Sequence, residues 1–129
     1  MVGAGNLGHA VANYTNFERR GFKIKAIFDN NPEVIGTKIN GLTVQPVENL
    51  VSLIREEAIK LAMLTLPATS VKELINDIVD AGVKGIWNFS YLDVDVPADV
   101  ALVNVHLSDS LMTLAYKLNE IEHFTNVKK

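Results

Sequence analysis

Val2-Gly3-Ala4-Gly5-Asn6-Leu7-Gly8 opens the chain and carries its strongest structural signal. The three glycines have the spacing of the turn that joins strand to helix in a dinucleotide-binding βαβ unit. Gly3 permits a tight turn, Gly5 lets the backbone approach a pyrophosphate, and Gly8 lets the new helix pack near the strand. Free N–H groups at the start of that helix favour negative charge. The turn therefore predicts a phosphate-binding site.

The segment that follows supports this interpretation. Residues 6–20 place apolar side chains on one helical face, and Gly21 is typical of a helix stop. Residues 22–28 then read as a strand that enters a buried sheet. Asp29 ends this strand about twenty positions after Gly8, where such units carry the acid that binds the adenosine ribose. In the alternative interpretation, Asp29 only opens an Asp-Asn-Asn-Pro turn.

The type of residue at position 29 also bears on which dinucleotide is preferred. A carboxylate at Asp29 would repel a 2′-phosphate, and no Arg or Lys follows in Asn30-Asn31-Pro32. The sequence therefore favours NAD(H) over NADP(H) as cofactor.

Alternating strand and helix patterns continue along the chain and define the fold class. Further strands are predicted at 42–44, 61–66, 85–89 and 100–105, with helices between them. This rhythm predicts an α/β fold, a Rossmann-type doubly wound parallel sheet. Ligands of such sheets bind beyond the carboxyl ends of the strands. We expect those ends, at residues 3–5, Asp29, 66–67 and 88–90, to converge on one crevice.

Domain organisation follows from the same elements. Residues 1–107 are predicted to form the dinucleotide-binding domain, and residues 108–129 a C-terminal helix and tail. The apolar stripe of this helix suits dimerisation by exchange with a partner, and it is equally able to fold onto its own domain. Thr69 or Ser70 is the predicted cap of one helix, and Ser108 the cap of the last helix, which carries an apolar stripe. Only Met1 and Val2 precede the glycine turn, so the first strand is expected to be truncated, as in a fragment of a longer protein.

Composition excludes several classes of function. The chain has 129 residues, no cysteine and a formal net charge of −3, with basic residues scattered rather than in a stripe. Its three histidines lack metal-ligand spacing. No run is long enough for a membrane span and no secretory signal is evident, so a cytoplasmic protein is expected.

Several motifs in order resemble the Rex family, the bacterial redox-sensing transcriptional repressors. They extend from about Val2 to Leu118, and they comprise the glycine turn with Asn13-Tyr14, Ala26-Ile27-Phe28-Asp29, Ile39-Asn40-Gly41, Leu64-Thr65-Leu66-Pro67-Ala68, Ala81-Gly82-Val83-Lys84-Gly85-Ile86-Trp87-Asn88-Phe89, and Asn104-Val105-His106-Leu107 with Leu114-Ala115-Tyr116.

The resemblance implies a sensor rather than an enzyme. Family members carry a winged-helix DNA-binding domain ahead of this one, and the winged helix is absent from these residues. They form homodimers in which the last helix of one subunit packs against its partner. NADH closes the dimer and releases DNA, whereas NAD+ permits repression. The implied cofactor-binding residues lie in the turn, at the ribose acid and near the nicotinamide: Gly3, Gly5, Asn6, Leu7, Gly8, Asp29, Leu66, Pro67, Phe89 and Ser90.

One pair of residues departs from the family pattern. Tyr14 matches a tyrosine that pairs with an acid near the closing helix when NADH is bound, but His106 stands where the family usually has Asp. A Glu would be expected at Ser110 and a Gln at Met112. Tyr14 and His106 are therefore the expected switch and dimer residues, with a changed contact; Tyr14 is equally consistent with a core position.

Three other functions fit parts of the pattern. The chain could be the cofactor domain of an NAD-dependent dehydrogenase, although no acid/base pair has a convincing position. It could be a CoA-binding domain, against which Asp29 argues mildly because a 3′-phosphorylated adenosine prefers a basic neighbour. It could also be a structural α/β domain with an empty crevice.

Overall fold

The computed structural model describes residues 1–14, 16–90 and 93–128. Helices and strands alternate along the chain. In order, they are α1 (Asn6–Ala12), α2 (Asn16–Arg19), β1 (Ile27–Asp29), β2 (Lys38–Ile39), β3 (Leu42–Pro46), a 3-10 turn (Val47–Asn49), α3 (Leu50–Glu56), β4 (Leu61–Leu64), α4 (Ala68–Asp80), β5 (Gly85–Asn88), β6 (Ala101–Asn104) and α5 (Leu107–Lys128).

The strands form a parallel sheet in a Rossmann-like order. β3 pairs with β1, and β4 pairs with β5, which pairs with β6, all in parallel. Val2 lies between the two groups and bridges Phe28 on one side and Leu64 on the other. The expected short first strand is therefore confirmed. β2 adds an antiparallel hairpin to β3.

Apolar side chains form a separate cluster on each face of the sheet. Ile27 belongs to a cluster with Ala12 of α1, whereas the next residue, Phe28, belongs to one with α3 and α4. Successive residues of a strand point to opposite faces, so adjacent Ile27 and Phe28 anchor opposite layers. The predicted α/β class with helices on both faces of the sheet is confirmed.

The predicted single helix over residues 6–20 is wrong, because α1 ends at Ala12 and α2 begins only at Asn16. Asn residues at 13 and 16 have low helix propensity and interrupt the apolar pattern. Asn40, at the β2–β3 turn, donates its side-chain amide to the Ala12 carbonyl at 3.1 Å and so takes the place of the next helical N–H. The helix stop at Gly21 is present, with φ +87°.

The predicted strand over residues 22–28 is also shorter than expected, since β1 starts at Ile27. Its neighbour on the central side reaches back only to Met1, whose amine donates to the Ala26 carbonyl at 2.8 Å. Phe22, which the pattern would bury, is 57% exposed. Strand hydrogen bonds require a neighbour along the whole length, and this segment has one only at its end.

Both predicted helix caps are corrected by the backbone. α4 begins at Ala68 after Pro67, with no side-chain hydrogen bond at the cap, so neither Thr69 nor Ser70 caps it. α5 begins at Leu107, which places Ser108 inside the helix. Proline has its φ preset for a helix start, which explains the earlier beginning of α4.

α5 has its apolar residues in water rather than in the core. Every side chain from Ser110 to Glu122 is exposed. The large apolar members of this set are Leu111, Met112, Leu114, Tyr116, Leu118 and Ile121.

Candidate functional site

A crevice of about 520 Å³ opens at the carboxyl ends of the parallel strands. It brings together residues from the glycine turn, β1, the β4–α4 connection and the segment after β5, so the predicted convergence of four strand ends is confirmed. The lining residues are Gly3, Gly5, Asn6, Leu7, Asp29, Asn30, Asn31, Thr65, Leu66, Pro67, Ala68, Ser70, Phe89 and Ser90.

Each glycine of the turn has a distinct steric environment. Gly3 adopts φ +116°, a backbone conformation that disfavours any side chain. A Cβ on Gly8 would lie 2.3 Å from the Gly3 carbonyl oxygen, so Gly8 allows α1 to approach the strand. A Cβ on Gly5 would meet no atom within 4 Å. Gly8 therefore serves packing outside the crevice lining, whereas Gly5 leaves open space that a ligand can fill.

The carboxylate of Asp29 connects the turn to the end of β1. It is only 7% exposed, and its Oδ2 accepts the backbone N–H of Ala4 at 2.8 Å. Its Oδ1 accepts the backbone N–H groups of Asn30 at 2.7 Å and Asn31 at 3.0 Å. Asp29 thus does form the turn of the alternative interpretation, and it also lines the crevice. The two interpretations are compatible in one structure.

The crevice wall at the end of β5 rests on a buried amide. Asn88 is fully buried, and its Oδ1 accepts both the N–H of Ser90 at 3.0 Å and the Ser90 hydroxyl at 2.6 Å. Its Nδ2 donates to Asn104 Oδ1 at 2.9 Å, which joins the end of β5 to the end of β6. This network holds Ser90, and with it the adjacent Phe89, in the lining of the crevice at the end of β5.

Tyr14 and His106, the expected switch pair, are not among the residues that line the crevice. Tyr14 follows the end of α1 and is 53% exposed, so it is not a core tyrosine. Its ring lies 4.9 Å from that of Phe17 in an edge-to-face arrangement. His106 is half-buried between β6 and α5.

Sequence reasoning placed Asn88 at one of the converging strand ends but gave no role in the site to Asn88 or to Thr65. Thr65 contacts the glycine turn through its hydroxyl, and Asn88 organises the wall at the end of β5. Thr65 directly follows the apolar strand β4, and Asn88 is the last residue of the apolar strand β5. These positions are the signal in the sequence that could have identified both residues. A polar residue at the carboxyl end of a parallel strand faces the ligand edge of the sheet.

The described ranges hold no group of three His, Cys, Asp or Glu side chains able to bind a metal ion. In the same ranges no helix has the length and apolar character needed to cross a membrane.

Comparison with known proteins places this chain in a family. Residues 1–92 match the family model described as "CoA binding domain". The chain is 48% identical over 119 residues to the redox-sensing transcriptional repressor Rex of Clostridium perfringens, an alignment that covers 92% of this chain and 56% of that protein. It is 49% identical over 128 residues to Rex of Caldanaerobacter subterraneus, with 99% and 57% covered.

Solved structures give the same relationship. The crystal structure of RSP in complex with β-NADH superposes with a TM-score of 0.89 at 48% identity, and covers 98% of this chain and 61% of that one. The complex of RSP with β-NAD+ and operator DNA gives 0.86, with 98% and 58% covered. RSP is a Rex-family repressor, and it has also been solved in a further crystal structure that matches this chain.

The match over most of its length shows that this chain belongs to the CoA-binding domain family of Rossmann-like nucleotide-binding domains. Within that class its relatives are the Rex redox-sensing repressors, and the resemblance predicted from the motifs is confirmed. The chain spans between about half and two thirds of the length of these relatives.

Proposed function

We propose that this chain is the NAD(H)-binding sensory and dimerisation domain of a redox-sensing transcriptional repressor that responds to the NADH/NAD+ ratio. The observation that carries the proposal is the crevice itself. It combines an unobstructed Gly5, a preformed glycine turn and a fixed carboxylate at Asp29. Support comes from RSP, which is 48% identical to this chain over the aligned region and has been solved in complex with β-NADH.

In this proposal the dinucleotide lies across the carboxyl edge of the sheet. The pyrophosphate rests on the backbone of the turn, from Gly3 to Gly8. The hydroxyl groups of the adenosine ribose donate hydrogen bonds to the carboxylate of Asp29. The nicotinamide half extends towards Leu66-Pro67 and Phe89-Ser90. The roles follow from the strand order: Val2 bridges Phe28 and Leu64, so the turn lies between the ends of β1 and β4, and the end of β5 lies beyond β4.

The preference for NAD(H) over NADP(H) has an electrostatic basis. A 2′-phosphate would approach the negative carboxylate of Asp29, and the crevice lining near it offers the neutral side chains of Asn30 and Asn31. Repulsion between the 2′-phosphate and the Asp29 carboxylate disfavours binding of NADP(H). The preference therefore depends on the charge at position 29.

A sensor of this type performs no chemistry on the nicotinamide. It converts a difference in affinity between two redox forms into a shift between two shapes of the dimer. Among the described residues that line the crevice, only Asp29 has an ionisable side chain, and backbone hydrogen bonds already engage its carboxylate. This arrangement favours binding over catalysis by a dehydrogenase. Contact with operator DNA would be made by a winged-helix domain outside these residues. The proposed location of the repressor is the cytoplasm.

The domain division proposed from the sequence assigns residues 108–129 to dimerisation. The exposed apolar side chains of α5 are the support for this assignment, because a homodimer would remove them from water. Tyr14 and His106 are proposed to take part in the change of dimer shape, since one lies at the break between α1 and α2 and the other at the base of α5.

The name of the matched family model makes coenzyme A the second candidate ligand. Both molecules contain adenosine and a pyrophosphate, which the turn would accept equally. They differ at the ribose, where coenzyme A carries a 3′-phosphate. Asp29, with its carboxylate at the ribose end, favours the dinucleotide.

Titration of the purified chain with NADH, NAD+, NADPH and coenzyme A tests the proposal. We expect saturable binding of NADH, weaker binding of NAD+, and little binding of NADPH or coenzyme A, measured by calorimetry. Equal affinities for NADH and NAD+ would remove the sensor function, because a ligand pair without differential affinity shifts no equilibrium. Preferential binding of coenzyme A would favour the second candidate.

The dimerisation role of α5 has its own test. Deletion of residues 108–129 should convert a dimer to a monomer in analytical ultracentrifugation, with NADH binding kept at a reduced level. A matched control substitutes Lys72 and Glu73, exposed residues of α4, by alanine and should remain dimeric. A truncated chain that stays dimeric would place the interface elsewhere.

A further inference from the structure

Thr65 occupies the junction between the glycine turn and α1. It directly follows β4, and its backbone N–H donates to the Val2 carbonyl at 2.8 Å. Its hydroxyl Oγ1 lies 2.9 Å from the Gly3 carbonyl oxygen and 3.1 Å from the Val2 carbonyl oxygen. One residue, directly after β4, therefore holds two successive carbonyl groups at the start of the turn.

The same hydroxyl fills the space that the glycines leave open. A Cβ on Gly3 would lie 2.4 Å from Thr65 Oγ1, and a Cβ on Gly8 would lie 3.2 Å from it. Gly3 has φ +116°, a backbone conformation that costs less free energy for glycine than for any other residue. Contacts with neighbouring residues are still needed to hold the backbone in this conformation. The Thr65 side chain therefore lies beside both Gly3 and Gly8, the first and last glycines of the turn.

The direction of the hydroxyl proton separates two roles for Thr65. A hydroxyl has a single proton, and both nearby carbonyl oxygens are acceptors, so the proton points to them. Oγ1 then presents only lone pairs to the crevice. A phosphate is also an acceptor, and therefore Thr65 does not donate to it while it holds the turn.

We propose that Thr65 is a positioning residue for pyrophosphate binding: its hydroxyl fixes the carbonyl of Gly3 and thereby the direction of the turn's N–H groups. This inference rests on the proposed binding of a dinucleotide at the same crevice. Binding groups held in place before the ligand arrives do not lose further freedom on binding, which increases affinity.

The test compares Thr65→Val, which keeps the shape and loses the hydroxyl, with Thr65→Ser, which keeps the hydroxyl. Affinities for NADH, ADP and adenosine are measured by NMR titration. We expect Thr65→Val to weaken NADH and ADP about tenfold, the effect of one lost hydrogen bond of roughly 1.4 kcal/mol. Adenosine, which has no phosphate, should bind within about twofold of wild type, and Thr65→Ser should restore NADH binding.

Thr43→Val is the matched control, because Thr43 is exposed on β3 and should change nothing. The amide signals of Gly3, Ala4 and Gly5 should shift in unliganded Thr65→Val, which provides a readout if this variant is too unstable for titration. Unchanged affinity for ADP, an equal loss for adenosine, or failure of serine to restore binding would each overturn the positioning role. If wild-type protein binds no NADH, it is the proposed function that fails.

Discussion

Two cavities lie at opposite ends of the parallel strands, and the lining of the larger one includes neither the glycine turn nor Asp29. The crevice at the carboxyl ends measures about 520 Å³, and backbone groups and the Asp29 carboxylate contribute to its wall. The cavity around the amino ends measures about 810 Å³, and most of its lining is apolar, including Phe22 and the half-exposed Leu61.

Cavity volume and apolar lining therefore do not distinguish the proposed binding site from the second cavity. The amino-end cavity lies where residues 22–26 and the start of β4 flank Met1. The crevice exists because several strands end beside a turn that glycine alone permits. A ligand site needs such fixed polar groups as well as space.

The largest expected effect concerns the amino end. In protein prepared with Met1 as its free amino terminus, burial lowers the pKa of the Met1 amine from 8.0 to about 5. Between these values the unfolded chain holds a proton that the folded chain lacks, so stability should rise as pH increases from 5 to 8. The slope is at most about 1.4 kcal/mol per pH unit. Urea denaturation at several pH values measures it.

The control for this effect is the same chain with an acetylated amine, which carries no charge. Its stability should lack this contribution, so the difference between the two forms isolates the amine from other titrating groups. A constant difference across this pH range would mean that the Met1 amine is not buried in solution.

A second prediction concerns the open space beside Gly5. Gly5→Val should reduce NADH affinity at least about 100-fold, or about 2.7 kcal/mol, because the side chain occupies the place of the pyrophosphate. Folding should be nearly unaffected, since φ is −75° and nothing lies near the new Cβ. Calorimetric titration and thermal denaturation measure the two effects. Phe22→Ser, in the other cavity, should bind NADH within about twofold of wild type.

A third and smaller effect separates Gly8 from Gly5. Gly8→Ala should lower the free energy of unfolding by about 1–3 kcal/mol, because its Cβ would overlap the Gly3 carbonyl. Alanine normally stabilises a helix relative to glycine, so the sign itself is diagnostic. Urea denaturation measures it, and an increase in stability would show that α1 can move away from the strand.

The extent to which the sequence predicted the fold depended on the range of the interactions involved. The convergence of four strand ends followed from periodicity and from the rule that parallel strands end at one edge. The extent of β1 could not be predicted in this way, because it depends on how far Met1 and Val2 reach along their neighbours. The break at Asn13 likewise required Asn40, which lies far away in the chain but donates to the last turn of α1.

The candidate site shows the same division. Asp29 was found from its spacing to the glycines, although its three backbone hydrogen bonds were not predictable. The roles of Thr65 and Asn88 were missed, since their importance lies in contacts with Gly3 and Ser90 that local pattern does not encode. The roles of Tyr14 and His106 remain proposals, as does the assignment of the ligand to individual residues.

The amino-acid sequence by itself determined the glycine turn, the alternation of strands and helices, and the position of Asp29 at the end of β1. These features depend on backbone freedom and hydrophobic periodicity, which act between near neighbours. Only the tertiary structure decided that Gly5 faces open space while Gly8 meets a carbonyl, and that Thr65, directly after β4, holds the turn. Such distinctions arise from distances between segments that are far apart in the chain, and they exist only once the sheet has formed.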